Sequence, residues 1–260
     1  MHHLQRLDRP STPRSTHRSK RVGGRYTPPS SELVQITSLK SLLSGVRTVV
    51  PSQQERLESK DELWCVGDTS LVAQKCVAIV GTREVSADGR ARSRRLAREL
   101  ALAGVVVVSG LAKGVDTEAL TAAIEAGGRV VAVIGTPIDK AYPAENKALQ
   151  ERIYREHLLV SQFAPGERVF PSNFPERNKL MAALSDATAI IEAGDTSGTL
   201  HQAAECVRLG RVLFIAKNVV DDPTLQWPKR FLPEPTVKTL VATEDVLRAI
   251  GAASPEWRSK

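Results

Sequence analysis

The chain has 260 residues, of which 42% are hydrophobic, 4% are aromatic and 25% are charged, with a formal net charge of +7. This hydrophobic content suits the folded core of one α/β domain with an appendage, and the low aromatic content argues against base-stacking platforms for many bases. There is no apolar stretch of about 18 residues and no signal-peptide core, so we expect neither a membrane span nor secretion. The three cysteines have no metal-ligand spacing, which predicts reduced thiols in a cytoplasmic protein without a metal.

The positive charge is concentrated at the N-terminus. Residues 1–50 contain nine Lys/Arg and two Asp/Glu, whereas the remaining chain contains 27 of each sign. Residues 1–30 have too few apolar side chains to fold and are predicted to form a disordered basic tail. A solvated extension, a weak polyphosphate-binding arm and an organellar transit peptide all remain open for it. Residues 31–60 are predicted to form a short helix and a linker, residues 61–250 the folded core, and residues 251–260 a C-terminal tail.

Strands and helices alternate along the predicted core. The predicted strands cover residues 63–66, 77–80, 105–108, 130–134, 158–161, 187–192, 211–216 and 238–241. The predicted helices cover residues 88–103, 117–126, a segment ending near 156, 175–185, 199–209 and 243–250. Asp116 and Thr243 are expected to act as N-caps, and residues 163–175 and 217–238 are expected to be irregular. This order predicts an α/β, Rossmann-like fold with a parallel or mixed sheet and helices on both faces.

Three glycine-containing loops follow predicted strands, at residues 81–83, 109–114 and 194–199. Because the carboxyl ends of parallel strands meet at one edge of a sheet, these loops are expected to converge there. Free N–H groups at the starts of the following helices, with Arg83 and Lys113 beside them, favour a phosphorylated ligand. No Walker sequence is present, and the absence of a dinucleotide fingerprint disfavours a dinucleotide-dependent redox enzyme. No nucleophile elbow is present, although a Ser–His–Asp triad stays open.

Six short motifs, in order along the chain, resemble those of the DprA/Smf DNA-processing family. They are V-A-I-V-G-T-R at 77–83, S-G-L-A-K-G-V-D at 109–116, Y-P-A-E-N at 142–146, N-F-P-E-R-N-K at 173–179, L-S-D-A at 184–187 and E-A-G-D-T-S-G-T-L at 192–200. The resemblance covers about residues 61–217. It implies a Rossmann-like core that binds single-stranded DNA, loads the recombinase RecA onto that DNA and acts as a homodimer in natural transformation or recombination. It implies neither catalytic residues nor a cofactor.

The loop chemistry and the resemblance together predict one DNA- and phosphate-binding site. Its expected members are Gly81, Thr82, Arg83, Ser109, Gly110, Lys113, Gly114, Arg177, Asn178, Lys179, Ser197, Gly198 and Thr199. The four cations in this set are expected to pair with phosphates, and the N–H groups of the loops to cradle phosphate oxygens. Two structural alternatives stay open: Arg177 as a clamp to Asp186 or Glu192, and Asn178 as a residue that holds a loop.

Two other functions use the same fold. A nucleotide-sensing domain would have the same pocket, and tight binding of one mononucleotide would distinguish it from a DNA-binding protein. A nucleotide phosphoribohydrolase of the lysine-decarboxylase-like superfamily carries the motif P-G-G-x-G-T-x-x-E. In this chain the position of that acid is Gln202. Since an amide cannot serve as a carboxylate base, we expect the protein not to be an enzyme.

Overall fold

The computed structural model describes residues 25–44 and 62–253. Most of the predicted basic tail, of the linker and of the C-terminal tail therefore lies outside the described residues. The strands are β1 (Gln35–Thr37), β2 (Leu63–Gly67), β3 (Cys76–Val80), β4 (Val106–Ser109), β5 (Val130–Ile134), β6 (Leu158–Ser161), β7 (Ala187–Ile190), β8 (Val212–Ala216) and β9 (Val237–Leu240). The α-helices are α1 (Leu39–Leu42), α2 (Ala87–Leu102), α3 (Val115–Glu125), α4 (Lys147–Glu156), α5 (Asn173–Leu184), α6 (Thr199–Arg208), α7 (Lys217–Val220), α8 (Trp227–Phe231) and α9 (Thr243–Ile250).

In the described residues these nine strands form one sheet in the order β1-β2-β6-β5-β4-β3-β7-β8-β9. Neighbours from β6 through β9 are parallel, whereas β2 is antiparallel to β6 and to β1. The predicted α/β fold is confirmed, with a mixed sheet. All five residues of β3 and of β5 are buried. Continuous runs of Val, Ile and Ala are expected where helices cover both faces of a parallel sheet.

Helices pack on both faces of the sheet. Side chains of α2, α3, α4 and α9 share one hydrophobic core with one face, and side chains of α5, α6 and α8 share a second core with the other. All three cysteines are buried thiols. Among the helices of the described residues, none combines the length and the apolar character needed to cross a membrane.

The chain order of the strands reverses at the centre of the sheet. From β3 the chain builds outward through β4, β5 and β6, and it then returns to β7 on the opposite side of β3. The connections after β3 and β7 therefore diverge and leave a crevice at the carboxyl ends of the strands. Open α/β sheets bind ligands at such a crevice.

The described N-terminal segment contacts the core. Residues 31–44, which the sequence predicted to contain a short helix, form a 3₁₀ turn, β1 and the single turn α1. β1 extends the sheet by pairing with β2, whose backbone would otherwise lie at an open edge. Tyr26 Oη donates a hydrogen bond to the Ile138 carbonyl (2.9 Å), and the Thr27 N–H donates to Glu151 (2.8 Å).

The N-caps of two helices differ from the sequence prediction. The N-cap of α3 is Gly114, so Asp116 lies inside the first turn, where it accepts from the Ala112 N–H (3.3 Å). The N-cap of α9 is Ala242, and Thr243 Oγ1 instead donates to Glu99. The prediction of two side-chain caps is therefore wrong, because each polar group finds a partner elsewhere. The segment 217–238 also contains two short helices, α7 and α8.

Candidate functional site

A pocket of about 440 Å³ lies at the crevice between the loops that follow β3 and β7. Part of the predicted site surrounds it: Gly81, Thr82, Arg83, Arg177, Asn178, Ser197, Gly198 and Thr199. The other predicted members, Ser109, Gly110, Lys113, Gly114 and Lys179, lie outside its lining. The fold thus brings together three stretches that are distant in the sequence.

Backbone hydrogen bonds join the loops around this pocket. The Thr82 N–H donates to the Glu192 carbonyl (2.7 Å), and the Val115 N–H donates to the Thr82 carbonyl (3.2 Å). Gly114 has a φ of +76°, and a Cβ there would lie 2.4 Å from the Thr82 carbonyl oxygen. Glycine is required because a side chain would separate the two loops.

The loop after β7 is anchored from both sides. The Asn178 amide donates to the Gly198 carbonyl (3.1 Å), which is the loop-holding alternative raised for this residue. On the far side, Asp195 accepts from the Trp227 N–H (2.7 Å), while Trp227 itself is fully buried. The segment 217–238, which contains α8, therefore positions the loop that forms one wall of the pocket.

Two hydroxyl groups of the predicted site bond within this loop. Ser197 Oγ donates to Thr199 Oγ1 (2.9 Å) and accepts from the Thr199 N–H (3.2 Å). Within the described ranges, the N–H groups of Arg83 and Gly198 have no hydrogen-bond partner. Backbone donors of this kind can bind an anionic ligand.

Arg177 lies beneath the pocket with only 5% of its surface exposed. Its Nη1 donates to the carbonyls of Val133 (2.7 Å) and Gly110, and its Nε donates to Asn178 Oδ1 (3.0 Å). A Cβ on Gly110 would lie 2.3 Å from Nη1, so only glycine admits the guanidinium there. Arg177 is a structural clamp, but its acceptors are the ends of β4 and β5 rather than the carboxylates expected from the sequence.

Asp116 is the buried counter-charge of this clamp. Burial lowers the pKa of Arg177 to about 10, and attraction to Asp116 opposes this shift. Burial also raises the pKa of Asp116 to about 6, while Arg177 and the Ala112 N–H favour the carboxylate. Arg177 therefore remains cationic at neutral pH, and its charge is compensated inside the protein.

Arg83 has the opposite environment at the mouth of the pocket. Its side chain is exposed, and among the described residues no carboxylate pairs with it. Its Cζ lies 5.5 Å from the ring centroid of Phe174, and the Phe174 centroid lies 5.4 Å from that of Tyr142. Such a guanidinium is held by a cation–π contact and keeps its donors free.

The two aromatic residues were missed as site residues by the sequence analysis. Tyr142 and Phe174 lie inside two of the recognised motifs, but the low aromatic content argued against stacking. Only the fold shows that two residues 32 positions apart form one aromatic surface beside Arg83.

The remaining predicted members of the site have local partners. Lys113 pairs with Glu145, which raises the pKa of Lys113, and Lys179 pairs with Glu176 (2.9 Å). Both pairs are exposed, so a ligand can displace them at little cost. Ser109 is buried and donates to the Ile79 carbonyl (2.7 Å), which makes it part of the sheet edge.

Known proteins resemble this chain in sequence and fold. The family model described as DNA recombination-mediator protein A matches residues 49–251. DNA processing protein DprA of Streptococcus pneumoniae is 35% identical over 185 residues, which are 71% of this chain and 65% of that protein. The chain thus spans less than two thirds of the length of this relative.

Two solved structures have the same architecture. The structure of DprA from S. pneumoniae has a TM-score of 0.70 and 31% identity, and covers 83% of this chain and 74% of its own. A structure concerning the single-stranded DNA binding mode of DNA processing protein A from Helicobacter pylori has a TM-score of 0.66 and 28% identity. It covers 74% of this chain and 88% of its own.

Proposed function

Because this chain belongs to the DNA recombination-mediator protein A family, we propose that it binds single-stranded DNA in the pocket at the carboxyl edge of its sheet. The observation that carries the proposal is Arg83, a cation without an ion-pair partner in the described residues, which lies against Phe174 at the mouth of the pocket. This combination offers donors to a phosphate and an aromatic face to the neighbouring base.

The chemistry favours single strands over duplex DNA. The Arg83 guanidinium can donate two parallel hydrogen bonds to one phosphate, and the N–H groups of Arg83 and Gly198 can donate to the same or an adjacent phosphate. A base can reach the Phe174 ring only when it is unstacked and unpaired, as in a single strand. The binding mode described for the H. pylori relative is also to single-stranded DNA, which supports the same ligand here.

We further propose that the bound strand is passed to a RecA-type recombinase and that the protein acts as a homodimer. Both proposals follow from family membership. A strand-exchange assay with RecA checks the first: addition of the protein is expected to accelerate RecA loading, and Arg83→Ala to abolish the acceleration. Sedimentation equilibrium checks the second, with a mass of twice 28.2 kDa as the expected result.

The proposed role is binding without catalysis. Gln202 lines the pocket but is fully buried, and its amide Nε2 donates to Thr188 Oγ1 (3.3 Å). A side-chain amide does not gain or lose a proton near neutral pH, so Gln202 supplies no general base for hydrolysis.

A nucleotide-binding domain is the second candidate, because a pocket of about 440 Å³ is within the usual range for small ligands. Fluorescence anisotropy with labelled oligo-dT and with mononucleotides separates the two candidates. Affinity that rises with oligonucleotide length supports the DNA proposal. A mononucleotide that binds as tightly as the oligonucleotides supports the alternative.

The decisive variant is Arg83→Ala, with Arg152→Ala as its matched control. Arg152 is an exposed arginine paired with Glu156 and does not line the pocket, so both variants remove one positive charge. We expect Arg83→Ala to weaken binding roughly tenfold or more and Arg152→Ala to leave it within about twofold. Equal losses would show that net charge, and not this pocket, attracts the DNA.

A further inference from the structure

A second groove, of about 760 Å³, lies next to the pocket. Arg25 and Tyr26 form one side of it, and the loop from Thr136 to Tyr142 forms the other. Tyr142 lines this groove, whereas its ring partner Phe174 lines the pocket. The two cavities are therefore neighbours that share one pair of aromatic rings as their boundary.

One exposed aromatic ring lines this groove, and a second follows a lining residue in sequence. Among the large hydrophobic side chains that are exposed in the described residues, the aromatic ones are Tyr142 (50%) and Phe170 (49%). Phe170 directly follows Val169, which lines the groove, and Arg168 Cζ lies 5.5 Å from the Phe170 ring centroid. Tyr142 lines the groove, and Phe170 adjoins the lining residue Val169 in sequence; two half-exposed rings in these positions indicate a binding surface.

Cations accompany these rings. Lys140, which lines the groove, donates to the main-chain carbonyl of Glu167 (2.6 Å). It forms no ion pair in the described residues. Arg25 and Arg168 likewise form no ion pair in the part of the chain that the structure describes. The acid that lines the groove, Asp139, accepts from the Gly166 N–H (3.0 Å). Cations outside ion pairs, together with exposed rings, match a nucleic-acid strand better than an apolar peptide.

We propose that this second groove, which we name the outer groove, binds nucleobases of the same single strand whose phosphates the pocket holds. The inference rests on the proposed function and extends it. A strand leaving the pocket passes Phe174, stacks its next bases on Tyr142 and Phe170, and places its phosphates near Arg25 and Arg168. Since every base has a π-face, such stacking is independent of sequence.

Three labelled oligonucleotides test this inference by anisotropy. A short oligo-dT of about five nucleotides fits the pocket alone, a long one of about 20 also reaches the outer groove, and a third has the long backbone but lacks bases beyond the first five. For the wild type we expect the long oligo-dT to bind at least about fivefold more tightly than the other two.

Two variants remove the rings of the outer groove. Phe170→Ala is expected to lose much of the gain with length while binding the short oligonucleotide as the wild type does. Tyr142→Ala also removes the ring packed against Phe174, so it is expected to weaken the short oligonucleotide somewhat and the long one more. Phe170→Ala is the cleaner of the two, because among the described residues the ring paired with Phe174 is that of Tyr142. Tyr142→Phe retains the ring and should retain the gain. Leu102→Ala, an equally exposed apolar residue on α2, serves as the control for removal of surface area.

The outcomes separate this inference from the proposed function. If both alanine variants keep the full gain, or if the strand without outer bases binds as tightly as the complete one, the outer groove does not bind bases and serves another partner. If they weaken short and long oligonucleotides equally, the rings act only through the pocket, and the second subsite is rejected. If the wild type binds none of the three, the proposed function itself fails. Arg83→Ala, in contrast, is expected to weaken both lengths.

Discussion

The pocket has two arginines in contrasting environments, and the contrast separates what builds the site from what binds there. Below the pocket, Arg177 is buried, donates to two main-chain carbonyls and is balanced by Asp116. At the mouth, Arg83 is exposed and lies against the Phe174 ring. A guanidinium whose donors are engaged holds strands and loops in position, whereas one whose donors are free can receive a phosphate.

The largest expected effect is on stability, from Arg177→Ala. The substitution leaves the carbonyls of Gly110 and Val133 without this donor and Asp116 without its counter-charge. Removing one partner of a buried charged network costs about 3–5 kcal/mol. Urea denaturation followed by circular dichroism should show this loss in the free energy of unfolding, while Arg152→Ala changes it by no more than about 0.5 kcal/mol. A wild-type unfolding curve for Arg177→Ala would mean that Arg177 is not a clamp.

The pH dependence of stability tests the other member of this inner region. The folded-state pKa of Asp116, about 6, lies above its ordinary value of 3.8, so the native state holds the proton more tightly than the unfolded chain does. The contribution of Asp116 to stability is therefore greatest below about pH 4 and falls as the pH rises to about 6.

The measurement is the difference in unfolding free energy between the wild type and Asp116→Asn from pH 4 to pH 7. We expect this difference to move against the wild type by up to about 3 kcal/mol as the pH rises. A difference that is constant across this range would show that the pKa of Asp116 is not raised.

In the outer region, Arg83→Ala is expected to separate binding from stability. Loss of an exposed cation–π contact costs no more than about 1 kcal/mol of folding free energy. The affinity for single-stranded DNA should fall roughly 10- to 100-fold, which is about 1.4–2.8 kcal/mol. Arg83→Lys should recover part of the loss, because an ammonium keeps the charge but not the planar donor pair. If Lys restores binding completely, the geometry of the guanidinium has no role.

The smallest expected effect comes from deleting residues 1–24, which carry six Lys/Arg and one Asp. Arg25, the first described residue, lines the outer groove, and the deletion removes the six cations of the segment that precedes it in sequence. We expect the deletion to weaken binding about threefold at low salt and to make its dependence on salt concentration less steep. An unchanged salt dependence would exclude the tail from the interface.

Much of the fold follows from local sequence patterns. The strands Val130–Ile134 and Leu158–Ser161 and the helix Thr243–Ile250 have the bounds predicted for them. Runs of β-branched residues followed by glycine mark where buried parallel strands end, and this is sufficient to place the glycine loops at one edge. The antiparallel β1 was not predicted, because a three-residue strand at an edge has no periodicity to read.

The sequence by itself therefore determined the order of strands and helices, the edge at which the loops meet and the family. The tertiary structure alone decided which cations of the predicted site keep donors available for a ligand. The acceptors of Arg177 are 67 and 44 positions away, at Gly110 and Val133, and the ring beside Phe174 belongs to Tyr142. Burial and hydrogen bonding of a long side chain depend on such distant neighbours, and no local pattern records them.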